Sequence, residues 1–477
     1  MERFFKFAER GTNFRTEVVA GLTTFLTMCY IIFVNPAILS AAGVPFAGAA
    51  TATAVCAAFS CLLMGLVTNR PLALAAGMGF NAALAFTVIG VQQANVPWQV
   101  GMAVVLLEGV VILILVLTGL RESVMNAIPL NLKRAIGGGI GIFITLIGLN
   151  QGGIIRPAPV TLVTIGDLSE PYVWVTIIGL VSMATLRALR VKGELLIGLA
   201  IATAAALLLG IAKLPDAVVA HPSFETFLAP FQAANGSPAI LQAFTPALLA
   251  ATFALMLTDF FDTMGTVVAV GEQAGFVKQT GAVPGIKKIL VCDSVSAAVG
   301  GLFGGSSNTC YIESAAGVAE GGRTGLTAVV VGLLFAAAAF FAPIVELVGG
   351  GHRLTNLCQY GGFAGAGFTV PPDLTPPAGT GDCFVYPITA GALIIVGFFL
   401  MKTVRDIEWD RFDESFPAFL TVIGIPLTYS ISHGIGLGFI SYTAIKLFSG
   451  RLRDLHPLMI GISAAFLLGF VLPYIVK

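Results

Sequence analysis

Charge is the scarcest commodity in this chain. Asp, Glu, Lys and Arg make up only 10% of 477 residues, against about 25% in soluble domains. The 25 acidic and 25 basic residues cancel, so there is no electrostatic basis for binding nucleic acid or any strongly charged partner. The seven cysteines show no metal-ligand spacing. Cys29, Cys56, Cys61, Cys292 and Cys310 fall in apolar runs and are expected to pack as small hydrophobes, while Cys358 and Cys383 share one long loop where a disulfide is an open option. No Walker A loop, dinucleotide turn or zinc motif occurs, so neither bound ATP nor a cofactor is expected. The opening Met1–Arg10 is charged and amphipathic and lacks the apolar stretch of a signal peptide. It reads as a cytoplasmic lead-in helix on the membrane surface.

What fills the chain instead is apolar sequence, 57% of residues, together with 56 glycines. That combination predicts an all-α polytopic membrane protein, with the small residues allowing close helix approach and breaks at membrane depth. Runs long enough to cross a bilayer cover 18–40, 47–67, 98–119, 134–150, 172–190, 195–213, 244–270, 286–303, 325–348 and 386–402. Two short runs, 415–431 and 433–448, are parted by Ser432, and a last run covers 457–475.

Two segments break the pattern. Pro71–Ala85 is apolar but interrupted by glycine, and Gly304–Gly317 is similar and more polar; each reads as an extended piece followed by a half-helix. Interrupted segments at corresponding places in two halves point to a transporter binding site. Counted as elements 3 and 10, they give fourteen elements in two sets of seven, with 457–475 left over as an extra span or an interfacial helix, and an odd number per set inverts the second half. An offset of 232 aligns the halves: Glu313 falls on Asn81, Asp262 on Tyr30 and Asp259 on Thr27. The likeness is one of element order, since residue identity between the halves is very weak. Arg3, Lys6, Arg10, Arg15, Arg70, Arg121, Lys133, Arg134, Arg187, Arg190 and Lys192 in the first half, and Lys278, Lys287, Lys288, Arg323, Lys402, Arg405 and Arg411 in the second, all land on one side. By the positive-inside rule that side, with the N-terminus, is expected to be cytoplasmic. The other side carries the loops 151–171, 214–243 and 349–385.

Three acids stand where a membrane protein should avoid them. Asp259 and Asp262 lie one turn apart on one face of element 8, with Thr258, Thr263 and Thr266 nearby and Gly265 leaving room for close approach. No Lys or Arg lies in a neighbouring apolar run, so an ion pair is not the expected explanation, and intramembrane acids are by default functional. Burial without a cation favours the neutral carboxyl, which makes Asp262 the expected proton-exchanging acid. Glu313 follows the Gly304–Thr309 break at the start of a half-helix; its carboxylate suits a planar ligand with adjacent N–H donors. Asn81 occupies the mirrored place, either capping element 3 or meeting the ligand. Glu108 and Asp293 are expected to tie breaks by accepting backbone N–H bonds. Glu346 is expected to be solvated at an outer end, and His433 to be a local hydrogen-bonding residue in a short connection.

The motifs Phe260-Phe-Asp-Thr-Met-Gly-Thr266, Tyr311-Ile-Glu-Ser-Ala-Ala-Gly-Val318, Gly321-Gly-Arg-Thr-Gly325 and Gly77-Met-Gly-Phe-Asn-Ala82 resemble those of the AzgA-like purine permeases, relatives of the uracil and xanthine permeases. Phe7–Thr12, Gly424–Ser430 and Gly434–Phe439 extend the resemblance along the whole chain. It implies two inverted repeats of seven elements, a core (elements 1–4 and 8–11) and a gate (5–7 and 12–14), with substrate held where elements 3 and 10 cross. Carried over by motif, Glu313, Asp262, Asn81 and Tyr311 are implied substrate-site residues, and Asp262 with Asp259 the proton-coupling acids; a homodimer through the gate is also implied. One departure is the polar stretch Gly305–Cys310 before Tyr-x-Glu. The expected organisation is a lead-in (1–17), core (18–121), gate (122–213), outer loop (214–243), core (244–348), outer loop (349–385) and gate (386–477). The expected function is proton-coupled purine import, foremost of hypoxanthine and guanine. Alternatives are an adenine-preferring permease or, against the evidence of the acids, a sulfate-type anion transporter; a membrane enzyme lacks any nucleophile–base pair.

Overall fold

The computed structural model describes every residue except 1, 90–95, 120–127, 159–161, 277–282, 355–382, 452–454 and 476–477. Cys358 lies outside the described residues, and with it the disulfide option.

Helices follow the apolar runs. Element 1 is Phe14–Met28 plus Ile31–Ala41, element 2 Phe46–Thr68, element 4 Trp98–Thr118, element 5 Leu130–Gln151, element 6 Pro171–Ala188 and element 7 Glu194–Leu208. Element 8 is Pro246–Gln273, element 9 Ile286–Phe303, element 11 Gly325–Ala338 plus Ala342–Gly349, element 12 Pro387–Met401, element 13 Phe412–Leu427 and element 14 Ile431–Phe448. Elements 3 and 10 are extended pieces, Leu74–Ala76 and Asn308–Cys310, each leading to a half-helix, Met78–Ala83 and Ser314–Ala319. Among the described residues, seven helices are long and apolar enough to cross a bilayer alone, or eight with element 11 counted as one span.

Several boundaries differ from expectation for local reasons. Element 1 starts at Phe14 rather than 18, because Asn13 caps it by accepting the Thr16 N–H. It then breaks at Cys29–Tyr30, in mid-run. Element 11 is not straight: its two helices meet at 87°. Elements 13 and 14 part at Thr428–Ser430 instead of Ser432. Tyr429 has a positive φ of 53°, and Ser430 Oγ accepts the His433 N–H at 3.3 Å as the cap of element 14. His433 therefore sits in a helix's first turn, not in a connection. Segment 457–475 forms a single helix, Pro457–Ile475, packed on elements 14 and 8 through Phe466 against Phe439 and Phe253.

The packing is that of two intertwined repeats. Element 4 lies on 9 and element 2 on 11; element 5 lies on 13 and element 12 on 6; elements 6 and 7 pair as do 13 and 14. Each of these contacts has its counterpart when seven is added to or subtracted from both element numbers. Elements 1–4 and 8–11 thus make one body, the core, and 5–7 with 12–14 another, the gate. Small residues decide the closest approach: a Cβ on Gly301 would lie 2.5 Å from the Leu106 backbone nitrogen, and one on Gly109 would meet the backbone of Ala298. Within the gate, Lys446 is 1% exposed, yet paired with Asp413 at 2.6 Å; Arg451 reaches the same carboxylate at 2.9 Å. A buried ammonium is tolerable only with such partners.

Candidate functional site

The two extended pieces pair antiparallel at the centre of the core, Leu74 with Cys310, Ala75 with Thr309 and Ala76 with Asn308. The last pair differs by 308 − 76 = 232, the offset that aligns the halves, so the crossing lies on the approximate two-fold axis. Backbone donors freed by the helix breaks are absorbed there. The Gly77 N–H donates to Ser307 O and the Tyr311 N–H to Ala73 O, both at 2.9 Å, while the Ala73 N–H donates to Ser314 Oγ at 2.9 Å. Tyr311 adds a side-chain tie, its O–H donating to Ala76 O at 2.5 Å. A broken element is affordable at membrane depth because these groups satisfy one another.

Two of the three expected acids converge beside this crossing. Glu313 is the residue before the half-helix Ser314–Ala319 and is partly accessible; its Oε1 accepts the Tyr30 O–H at 2.8 Å. Asp262, also partly accessible, accepts the Thr309 O–H at 3.1 Å on Oδ2. The two carboxyls, Tyr30 and Tyr311 lie within electrostatic range of one another. The described charges acting on Glu313 are Asp262 and Glu194, both acidic.

The other expected residues are placed differently. Asp259 is fully buried, one turn deeper on element 8 than Asp262. Asn81 is fully buried inside its half-helix, and neither its Nδ2 nor its Oδ1 has a hydrogen-bond partner among the described residues; it does not cap element 3, where Gly77 holds the capping position. The hydroxyls near Asp262 are largely committed elsewhere: Thr258 bonds back to Ala254 O, and Thr263 donates to both oxygens of Asp293 at 2.9 and 2.8 Å. Asp293 is thus held in part by the Thr263 hydroxyl of the neighbouring helix. Among the described residues no cluster of His, Cys, Asp and Glu could hold a metal.

Sequence reasoning missed two partners. Tyr30 was placed only as the neutral counterpart of Asp262, and the 232 offset was the available signal that it would reach the site. Glu17, assigned to the lead-in, is fully buried and accepts hydrogen bonds from the N–H groups of Arg323, Thr324 and Thr327 and from the Thr327 hydroxyl, capping element 11 from element 1.

Exposure along element 8 is uneven. From Ala254 to Phe260 every residue of element 8 is buried, whereas Asp262, Gly265, Ala269 and Gln273, at helical spacing, are accessible. A Cβ on Gly265 would meet nothing within 4 Å, and Ile312, next to Glu313, is 50% exposed. The stripe ends at the face that carries the N-terminus, where Arg70 stacks on Phe276 and Arg10 reaches Asn69 and Arg323. At the opposite face core and gate touch: Ser40 Oγ and Tyr386 Oη are 3.2 Å apart, and His352 Nδ1 lies 3.3 Å from Ile211 O. A cavity of about 680 Å³, lined by Ser40, Lys213, Asp216, Glu346, His352 and Tyr386 among others, sits over that seam. The arrangement is a pair of partly accessible carboxyls steadied by hydroxyl donors and suited to accepting N–H bonds from a neutral, flat molecule.

Comparison with known proteins gives a consistent picture. Residues 15–351 match the model of the xanthine/uracil permeases, described as "Permease family". Guanine/hypoxanthine permease PbuO of Bacillus subtilis (strain 168) is 40% identical over 462 residues, covering 97% of this chain and 98% of that protein. Adenine permease AdeP of Escherichia coli (strain K12) is 38% identical over 471 residues, covering 99% and 96%. Among solved structures, the transmembrane domain of the cyanobacterial bicarbonate transporter BicA superposes with a TM-score of 0.60 at 15% identity, covering 88% of this chain and 97% of that one. SLC26A9 superposes with a TM-score of 0.55 at 11% identity, covering 91% and 65%. At those identities the structural likeness speaks for the two-repeat core–gate fold alone.

Proposed function

The chain belongs to the xanthine/uracil permease family, a multi-pass membrane permease and not an enzyme, and on that basis we propose that it imports purine nucleobases, hypoxanthine and guanine foremost, by proton symport across the cell membrane. The observation that carries this reading is the convergence of Glu313 and Asp262 at the crossing of elements 3 and 10, both partly accessible and neither facing a described cation. Relatives named as guanine/hypoxanthine permeases at 40% and 39% identity support the substrate class.

In this reading Glu313 accepts N–H bonds from one edge of the purine. Asn81, buried with its amide unpartnered among the described residues, turns toward a ring or carbonyl acceptor, and Tyr311 keeps the crossing rigid beneath the ligand. Asp262 holds the coupling proton with Asp259 supporting it, since two carboxyls in one water-poor site are costly to keep ionised together. Motion of core (18–121 and 244–348) against gate (122–213 and 386–477) alternates access. With the N-terminus cytoplasmic, the open stripe from Asp262 to Gln273 corresponds to an inward-open state. A homodimer through the gate fits the same scheme.

The test is uptake of radiolabelled hypoxanthine into cells lacking their own purine permeases. Glu313→Gln and Asp262→Asn are expected to lose uptake by at least about a hundredfold, since each removes a charged hydrogen-bonding partner, and a protonophore is expected to abolish accumulation. Wild-type rates in either variant would overturn the site assignment, and protonophore-resistant accumulation the coupling. An adenine-preferring permease is the second reading, favoured by the 38% identity to AdeP. Adenine has an acceptor at the ring position where hypoxanthine and guanine carry N–H, so Glu313 would have to be protonated to meet it. Competition of hypoxanthine uptake by unlabelled adenine and guanine separates the two.

A further inference from the structure

Tyr30 stands out among the buried polar groups that the proposed function leaves unused. It lies in the break of element 1, between Met28 and Ile31, and its ring is 2% exposed. The backbone stays in the right-handed helical region through Cys29 and Tyr30. From there the Tyr30 O–H reaches across the core and donates to Glu313 Oε1 at 2.8 Å, over a separation of 283 residues. The approximate two-fold explains why it reaches the site. Tyr30 and Asp262 are related by 262 − 30 = 232, so equivalent positions of the two repeats supply a hydroxyl on one side of the crossing and an acid on the other.

We infer that Tyr30 is a positioning residue for substrate recognition: by engaging Oε1 it fixes the rotamer of Glu313 and directs Oε2 as the free oxygen toward the purine N–H. This rests on the purine-permease reading and goes beyond it. The argument is geometric. A glutamate has three rotatable side-chain bonds, and a carboxylate held at one oxygen presents the other in a fixed direction. The residue's own backbone N–H also meets the carboxyl; without the Tyr30 hold, more of the ordering of Glu313 falls to the ligand, which weakens binding. Tyr311 cannot substitute, because its O–H is committed to Ala76 O; Thr309 cannot, because it serves Asp262.

The experiment is hypoxanthine binding and uptake with purified full-length protein, in detergent and in proteoliposomes. Wild-type binding of hypoxanthine, guanine or adenine must be seen first; if no purine binds, the proposed function fails, not this inference alone. Given binding, Tyr30→Phe, which keeps the buried ring, is expected to weaken hypoxanthine affinity about tenfold, the scale of one hydrogen bond to a charged group, with KM rising more than the maximal rate falls. Tyr30→Phe combined with Glu313→Gln is expected to bind no worse than Glu313→Gln alone, because Tyr30 acts through Glu313. Unchanged affinity in Tyr30→Phe, or losses that multiply in the double variant, would overturn the assignment. Should Tyr30→Phe fail to fold, 3-fluorotyrosine at position 30 keeps the shape with a stronger donor; a shifted hypoxanthine affinity supports the inference and an unshifted one overturns it.

Discussion

Glu17 shows how much a single buried acid can hold. Its two oxygens take three backbone N–H groups and one hydroxyl at the start of element 11, between 2.6 and 3.3 Å. Those of Thr324 and Thr327 are orphan donors of the helix N-terminus and that of Arg323 lies just before it; losing their acceptor leaves them unpaired. Glu17→Ala is therefore expected to destabilise the protein by on the order of 3 kcal/mol, read as a lower Tm in mild detergent, with Glu17→Gln recovering part of the loss. An unchanged Tm in Glu17→Ala would refute this role. Glu313 and Asp262 contrast with it: Asp262 meets the Thr309 hydroxyl, Glu313 meets the Tyr30 hydroxyl and its own backbone N–H, and both remain accessible. The burial of Glu17 was not legible in composition, since it stands just before the first apolar run, two residues after Arg15. What separates it from Glu313 and Asp262 is how many donors the surrounding fold supplies.

Elements 4 and 9 are pressed together until backbone nearly meets backbone. At Gly301 any side chain would collide with the Leu106 nitrogen and the Met102 oxygen, 2.5 and 2.9 Å from an added Cβ. Helix contacts in lipid rest on such close packing, so Gly301→Leu is expected to abolish the monodisperse peak on fluorescence-detected size exclusion. Gly461→Leu, where an added Cβ meets nothing within 4 Å, is expected to leave it intact; equal behaviour of the two variants would show that this crossing is not needed. The existence and order of the elements were readable from apolar run length and glycine interruption. The breaks at Cys29–Tyr30 and Thr428–Ser430 and the 87° bend in element 11 were not. Each depends on partners from other elements or on local backbone geometry that a hydropathy pattern does not carry.

For the molecule as a whole, the two faces differ: core and gate touch through Ser40–Tyr386 and His352–Ile211 at one, while the accessible residues from Asp262 to Gln273 run toward the other. Gly265 lies among them. Gly265→Cys is expected to react with a membrane-impermeant maleimide in inside-out vesicles and not in right-side-out ones, and hypoxanthine is expected to slow the reaction. Labelling only from the opposite side would reverse the orientation, and labelling indifferent to purine would separate Gly265 from the substrate path. Cys29, Cys56, Cys61, Cys292 and Cys310 are buried, and Cys358 and Cys383 are replaced by Ser in the labelled variant to remove their background.

The sequence by itself determined the solvent this protein folds in, the order of its elements, the inversion of its halves and the short list of acids worth watching. All of these follow from local quantities: run length, glycine placement and the sign of flanking charges. Only the tertiary structure decided which acids share a site and what steadies them. The Tyr30–Glu313 bond spans 283 residues, and the pairing of Ala76 with Asn308 spans 232. Contacts between repeats are set by how two helical bodies interlock, and no periodicity along the chain encodes that directly.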